Sequence, residues 1–469
     1  MYYRYGKPEG GIGIDMGKAV YKMECPACED MQVAVLMGGL GSRLKEQTAG
    51  CPKPLIQVCG KPFFEYEFML LLQAGFKKFV FLVGYRANMI EEYFGDGSRY
   101  GADISIRYSY DGEKLLGTGG AVIRALPMLE ENFMLLYADS FMDVDYFQIV
   151  YRYFAGKAAG RTALMTVMEN GNRFDKSNVI YQGGEIKVYD KKNSTSDMSC
   201  IDYGIEVFSK EIFSSLAESA GEGAVDLADI QSRLVEEGKC TACEETRRFY
   251  EIGTPSSLAE FTEYAGRRFM EPVGACFLDR DGVINEIVYN EDTEQLDSPL
   301  AVSEFTFLPG AVEGLKRLYE SGMMLFVVSN QPAAAKGKTA LSELYDINVH
   351  MIKELQKEGV EVAEAAICPH HPVGSGKTKE SFLIRECDCR KPKAGLLLGI
   401  MKKYNIDPER SYMIGDSYTD MLAGRKAGVK TAFAGDYKCD VCSRLAYIKP
   451  DITGRNLAEI ARMIVESKG

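Results

Sequence analysis

No run of about 18 apolar residues occurs in the 469-residue sequence, so no membrane-spanning helix is predicted. There is no surplus of positive charge. Lys and Arg number 55 against 67 Asp and Glu, a net charge of −12. That balance excludes a broad nucleic-acid-binding face, though not a nucleotide held by local basic loops. The first residues lack the apolar core of a secretory signal, so a cytoplasmic chain is expected. Histidine is scarce, at three, and two of them, His370 and His371, are adjacent. No low-complexity linker interrupts the chain, so its domains are expected to pack closely. Cysteine is not scarce. The thirteen cysteines are an odd number and read as thiols or metal ligands in a reducing compartment.

The length implies two or three domains. An apolar content of 46% and a charged content of 26% are those of an ordinary soluble globular protein. Residues 1–30 are rich in glycine at first and show no period; they read as a loose extension, with Met31 as the alternative start. A break near 264–272, at Arg267-Arg268 and Pro272, divides the rest into 31–266 and 273–469.

The second part is organised around Cys276-Phe277-Leu278-Asp279-Arg280-Asp281-Gly282. An apolar run ending at glycine predicts a buried strand entering a turn. Side chains two apart on a strand point the same way, so Asp279 and Asp281 can share one site. One carboxylate there can attack phosphorus while the other shuttles a proton. A second strand, Met323–Val328, runs into Ser329-Asn330-Gln331, whose hydroxyl and amides can hold a phosphoryl oxygen. Residues 341–358 read as an amphipathic helix. A further strand ends in Gly415-Asp416, an acid suited to Mg²⁺, with Asp420 four residues on.

The first part alternates strand and helix, which predicts a parallel, doubly wound sheet. Strands are expected at 32–37, 78–83 and 103–109, and helices at 63–74 and 87–94. The first strand ends in Gly38-Gly39-Leu40-Gly41-Ser42-Arg43. Its glycines let the backbone approach a phosphate, and Arg43 adds a forked cation. Pro52-Lys53-Pro54 stiffens a turn around a lysine that can reach a phosphate. Gly117-Thr118-Gly119-Gly120 opens a helix and can lie flat on a base or sugar. Buried strand 133–137 ends at Asp139, a natural Mg²⁺ ligand.

In this order the motifs of residues 31–265 resemble the sugar-1-phosphate nucleotidyltransferases. The resemblance implies that Gly38, Gly39, Gly41, Arg43, Lys53 and Gly119 contact the nucleotide. It implies that Asp139 and Glu251 hold Mg²⁺ and that Lys191, of Asp190-Lys191, binds the sugar phosphate. Glu251 stands where that family usually has aspartate, and Ala138 where it usually has glycine.

The C-terminal part resembles the haloacid-dehalogenase-like phosphatases. By that resemblance Asp279 is the nucleophile, Asp281 the acid/base, and Ser329 and Lys391 the phosphoryl-holding groups. Asn330, Gln331 and Arg390 are then substrate contacts. Mg²⁺ falls to Asp279, Asp416 and a backbone oxygen of Asp281. Cys368-Pro369-His370 and Cys387-Asp388-Cys389 supply three thiols and an imidazole, a donor set for tetrahedral Zn²⁺. This loop narrows the resemblance to the heptose 1,7-bisphosphate and histidinol-phosphate phosphatases. There Arg390 would recognise substrate and Lys391 neutralise the phosphoryl group. Pro332-Ala333-Ala334-Ala335-Lys336 departs from the Gly-Ile-Ala-Arg run usual after Gln331.

The expected architecture is therefore α/β, with two doubly wound domains: a Rossmann-like nucleotide-diphospho-sugar transferase and a haloacid-dehalogenase-like domain with a zinc loop. The expected function is consecutive: removal of the 7-phosphate of a heptose 1,7-bisphosphate, then nucleotidyl transfer to the sugar 1-phosphate. GTP is the favoured nucleotide by resemblance. Two alternatives stay open, histidinol-phosphate hydrolysis in the second domain and a non-catalytic transferase domain acting as scaffold. The pairs Cys25/Cys28, Cys240/Cys243 and Cys439/Cys442 complete no motif, and the oligomeric state is not encoded legibly.

Overall fold

The computed structural model describes residues 28–39, 50–112, 116–219, 224–290, 294–435 and 448–467. Gly41, Arg43, Cys25, Cys439 and Cys442 lie outside them.

The first half builds a nine-stranded sheet. Its strands are β1 (Gln32–Leu36), β2 (Lys78–Val83), β3 (Ser105–Tyr110), β4 (Asn132–Tyr137), β5 (Ala163–Glu169), β6 (Val179–Gln182), β7 (Glu185–Tyr189), β8 (Cys200–Ser209) and β9 (Cys240–Glu245). Strands β3-β2-β1-β4 are parallel neighbours in that order. The sheet is not parallel throughout, because β8 lies antiparallel to both β4 and β5. The connections explain it. A parallel pair needs a crossover of about a dozen residues, whereas β6 and β7 are joined by Gly183 and Gly184 alone. Both have positive φ, at 60° and 79°, which closes a tight hairpin.

Residues of β1 alternate between two cores. Val33 and Val35 pack into one face and Ala34 into the other, all fully buried. Helices α1 (Gly117–Ala125) and α2 (Tyr146–Ala158) follow β3 and β4. Asp145 caps α2 by accepting from the N–H groups of Phe147 and Gln148.

The second half builds a six-stranded, all-parallel sheet in the order β12-β11-β10-β13-β14-β15. These are β10 (Ala275–Leu278), β11 (Met324–Asn330), β12 (Glu364–Cys368), β13 (Tyr412–Gly415), β14 (Lys430–Ala434) and β15 (Ile452–Gly454). Helices α3 (Leu341–Lys357), α4 (Gly395–Tyr404) and α5 (Tyr418–Ala427) are among those that cover it. Cys276 and Leu278 face one core, and Phe277 the other. A short hairpin, Val288–Asn290 with Gln295–Asp297, stands between β10 and β11.

The two halves are docked through buried charge. Asp143 bonds Arg268 at 2.7 Å, Lys403 at 2.8 Å and Arg247 at 3.3 Å. Tyr404 donates its hydroxyl to the same carboxylate at 2.5 Å. Burial alone would raise the pKa of Asp143, but the three cations hold it well below the ordinary carboxylate range.

Both sheets reverse their order beside their first strand, between β1 and β4 and between β10 and β13. Ligand sites of open α/β sheets lie at the carboxyl ends of strands at such a reversal.

Candidate active sites

At the first reversal, the chain leaves β1 at Gly38 and leaves β4 at Asp139. Together with Gly39, Lys53, Asp111, Gly117 and Thr118 they line a cavity of about 230 Å³. Pro52 and Pro54 fix the 3₁₀ turn Lys53–Leu55, and from it the Lys53 Nζ reaches Asp139 Oδ2 at 2.8 Å. A Cβ on Gly38 would lie 2.6 Å from Asp111 Oδ2, so a larger residue here would have to displace the Asp111 carboxylate. Burial raises the pKa of Asp111, with Arg124 opposing. Asp111 and Thr118 were not singled out from the sequence. Asp111 carried the same signal as Asp139, an acid directly after a strand.

Glu251 lies on the two-residue strand Tyr250–Glu251, which pairs with Ser140–Phe141. The N–H of the next residue, Ile252, donates to Asp139 O at 2.9 Å, so Glu251 stands beside the Asp139 backbone. Gly119 does not line the cavity; it donates its N–H to Val225 O at 2.9 Å. Lys191 sits in the turn after β7. Its charge acts on the buried Asp202 and Glu206, opposing the rise that burial imposes on both. A larger groove of about 760 Å³, between Cys51–Gln57 and Pro255–Glu263, contains none of these groups.

At the second reversal, Asp279 follows β10 and donates its N–H to Ile414 O at 2.9 Å. Lys391, buried, places its Nζ 2.9 Å from Asp279 Oδ1 and 2.6 Å from Asp420 Oδ1. Asn330 fixes Lys391 by its backbone, donating to its carbonyl and accepting from its N–H, each at 3.0 Å. Gly282 has φ 80°, and a Cβ there would lie 2.3 Å from Asp416 Oδ2. Only glycine turns the chain here with Asp416 in place.

The carboxyl groups of Asp279, Asp416 and Asp420 offer oxygens all within 4.8 Å of one another. Burial raises Asp279 to about 6, with Lys391 opposing. Burial, then repulsion from Asp279 and Asp420, raises Asp416 to about 8. Burial and mutual repulsion thus oppose the ionisation of Asp279 and Asp416 beside one another. Hard oxygen donors in that state fit Mg²⁺.

The Asp281 carboxylate stays outside this cluster. Gln331 donates to it at 2.6 Å, Asn285 at 3.0 Å and Arg280 at 3.2 Å. Burial opposes ionisation, but Arg280 and then Ser298, Asn285 and Gln331 hold its pKa below the ordinary value. Gln331 also donates to Ser329 Oγ at 3.0 Å, so Ser329, Gln331 and Asp281 form one chain. Arg280, fully buried, also donates to Asn348 Oδ1 at 3.0 Å. The sequence reading passed over it, because a residue between two acids gives no sign of where it points.

Cys368, His370, Cys387 and Cys389 converge. Sγ of Cys368 is 3.5 Å from Cys387 Sγ and 3.1 Å from Cys389 Sγ, and His370 Nδ1 is 3.2 Å from Cys389 Sγ. A tetrahedron with Zn–S bonds of about 2.3 Å has edges of about 3.8 Å, so donor set and spacing both fit Zn²⁺. His371 points elsewhere, with Nδ1 2.7 Å from Val373 O. Arg390 lies above the cluster and donates to His370 O at 3.4 Å. Cys240 and Cys243 are buried singly on β9, and neither they nor Cys28 form a disulfide.

Residues 32–267 match the family model described as nucleotidyl transferase. Residues 388–460 match the model described as HAD-hydrolase-like. The D-glycero-beta-D-manno-heptose-1,7-bisphosphate 7-phosphatase of Pasteurella multocida is 37% identical over 156 residues, 33% of this chain and 78% of that protein. Its counterpart in Haemophilus ducreyi is 38% identical over 158 residues, 34% of this chain and 80% of that protein. Among solved structures, the inositol-1-phosphate CTP transferase from T. maritima aligns at 20% identity and a TM-score of 0.44. That alignment spans 51% of this chain and 96% of the other.

Proposed function

The chain belongs to the nucleotidyl transferase family through residues 32–267, and by the identity and coverage above to the family of the D-glycero-beta-D-manno-heptose-1,7-bisphosphate 7-phosphatases; we propose that it joins the two activities in nucleotide-activated heptose biosynthesis. Residues 273–469 remove the 7-phosphate of the heptose 1,7-bisphosphate. Residues 31–266 then transfer a nucleotidyl group, guanylyl by preference, to the remaining sugar 1-phosphate. The partners are small sugar phosphates and an NTP, with no nucleic acid or membrane, and the compartment is the cytoplasm. Among the described residues no helix is long and apolar enough to cross a membrane.

The observation that carries the phosphatase reading is the cluster of Lys391 with Asp279, Asp416 and Asp420. An Asp279 oxygen attacks the phosphorus and the sugar hydroxyl leaves, protonated by Asp281. Asp281 then takes a proton from water as it hydrolyses the aspartyl-phosphate. Lys391 and Ser329 hold the phosphoryl oxygens, and Asn330, Gln331 and Arg390 position the sugar. Asp279, Asp416 and the Asp281 backbone oxygen would hold Mg²⁺, which supplies charge neutralisation at the transferring phosphoryl group. Zn²⁺ on Cys368, His370, Cys387 and Cys389 would keep Arg390 and Lys391 in place.

The transferase step needs positioning more than covalent chemistry. A sugar 1-phosphate oxygen displaces pyrophosphate at the α-phosphorus. Gly38, Gly39, Gly41 and Arg43 cradle the nucleotide phosphates and Lys53 neutralises them. Asp139, with Glu251, would hold the metal, and Lys191 the sugar phosphate. The test is phosphorus NMR of the whole chain with sugar bisphosphates and each of four NTPs. Inorganic phosphate followed by pyrophosphate and an NDP-heptose supports the proposal. Phosphate release with no pyrophosphate from any NTP would favour a transferase half that only scaffolds.

A further inference from the structure

Tyr151, on α2 of the first half, is buried against the second half's catalytic loops. It shares a core with Ala333, Ala334, Ala335, Leu341, Leu344, Tyr345 and Leu383. Its hydroxyl donates to Glu380 Oε1 at 3.0 Å and accepts from the Ser342 N–H at 3.3 Å. The same Glu380 oxygen also accepts from the Leu341 N–H at 3.2 Å. One turn earlier on α2, Phe147 meets Phe382 edge-on, with ring centroids 6.3 Å apart.

The two segments under this platform are continuous in sequence with residues of the phosphatase site. Residues 332–338 follow Gln331, which bonds Asp281, and fold into a turn closed by the Gly337 and Lys338 N–H groups. Residues 380–391 run from Glu380 through Leu383 into the zinc cluster and on to Arg390 and Lys391. Thr378, two residues before Glu380, donates its Oγ1 to Ala335 O at 2.7 Å, which ties the start of the second segment to the first, and the Leu383 carbonyl accepts from the His371 N–H at 3.1 Å. The run of three alanines is what permits the approach. Bulkier side chains at the buried Ala334 and Ala335 would lift the loop off α2.

We infer that Tyr151 is a positioning residue for the phosphatase: the first half serves as the fixed backing on which the second half's substrate-recognising loops are set. Tyr151 touches no reacting atom. It acts through the 332–338 turn and the Glu380–Lys391 segment. This rests on the phosphatase reading above. Attack by Asp279 on a minimal aryl phosphate needs the acid cluster and Lys391 but little of the loop rim. A sugar bisphosphate needs both.

The test compares wild type with Tyr151→Phe, which keeps the ring, and Phe147→Leu, which trims the same platform, all in the full chain. Hydrogen–deuterium exchange is followed across 332–338 and 378–390. Kinetics are measured with p-nitrophenyl phosphate, with a sugar bisphosphate, and for nucleotidyl transfer. The expected result is exchange about tenfold faster in both segments and KM for the sugar bisphosphate raised about fivefold. Aryl phosphate turnover and nucleotidyl transfer should stay within about twofold. Unchanged exchange in both segments overturns the inference. So does an equal loss on both phosphatase substrates, which marks a merely structural contact. Should wild type cleave the aryl phosphate and no sugar bisphosphate, the substrate reading falls, and the exchange result alone still decides the role of Tyr151.

Discussion

The Nζ of Lys391 stands 2.9 Å from Oδ1 of Asp279, inside a pocket where the lysine is 3% exposed. Burial alone would lower the lysine's pKa, yet Asp279 and Asp420 hold it above the ordinary value. The charge is therefore fixed beside the proposed nucleophile. Lys391→Met is expected to lower phosphate release by about 100-fold or more. It leaves two buried carboxylates without their cation, so a stability loss on the order of 3 kcal/mol accompanies it. Thermal unfolding with and without Mg²⁺ separates the two effects. Nucleotidyl transfer by the folded variant should be unchanged.

Cys368, His370, Cys387 and Cys389 are the proposed zinc ligands. Cys387→Ser should remove the one zinc expected per chain, read by metal analysis. Phosphatase kcat/KM should fall by at least about tenfold, because Arg390 and Lys391 lose their anchor. Zinc retained at full stoichiometry in this variant would contradict the ligand set.

Lys53 reaches Asp139 across the first cavity at 2.8 Å. Lys53→Ala is expected to reduce pyrophosphate release by about 100-fold while phosphate release holds at the wild-type rate. Loss of both activities together would mean that the two sites are not separate.

Glu245 is fully buried near the junction of the halves, and burial raises its pKa from 4.5 to about 8, with Arg247 opposing. Between those values the folded chain keeps a proton that the unfolded chain has lost. The contribution is thus complete below about pH 4.5 and disappears as pH rises through about 8. Glu245→Gln removes that dependence. Its thermal midpoint relative to wild type should climb by about 2 °C or more between pH 5 and pH 8. A difference that stays flat, or falls, would show that Glu245 is ionised in the fold.

Both strand-end sites were legible because each is local. Asp139 and Asp279 follow apolar runs, and Gly38 and Gly282 mark the turns that bring the chain against a second acid. Asp416, against Gly282, was legible at a strand end; Asp111, against Gly38, carried the same strand-end signal but no motif pointed to it. The mixed sheet was also missed. The strand–helix alternation read from the sequence stops short of β8, which lies antiparallel to β4 and β5. The docking of the halves is the least legible feature. Asp143, Tyr151 and Tyr404 read as unremarkable residues of a loop and two helices. Their contacts across the junction span long stretches of sequence, with separations of 261 for Asp143–Tyr404 and 229 for Tyr151–Glu380. The alanine run after Gln331 was visible as a departure, but its use became clear only with α2 lying against it.

The most direct test of two activities on one chain is Asp279→Asn, followed by phosphorus NMR with both substrates present. The account predicts no inorganic phosphate from heptose 1,7-bisphosphate, together with wild-type formation of NDP-heptose and pyrophosphate when heptose 1-phosphate is supplied. Phosphate release that survives the substitution, or loss of both products, would contradict it.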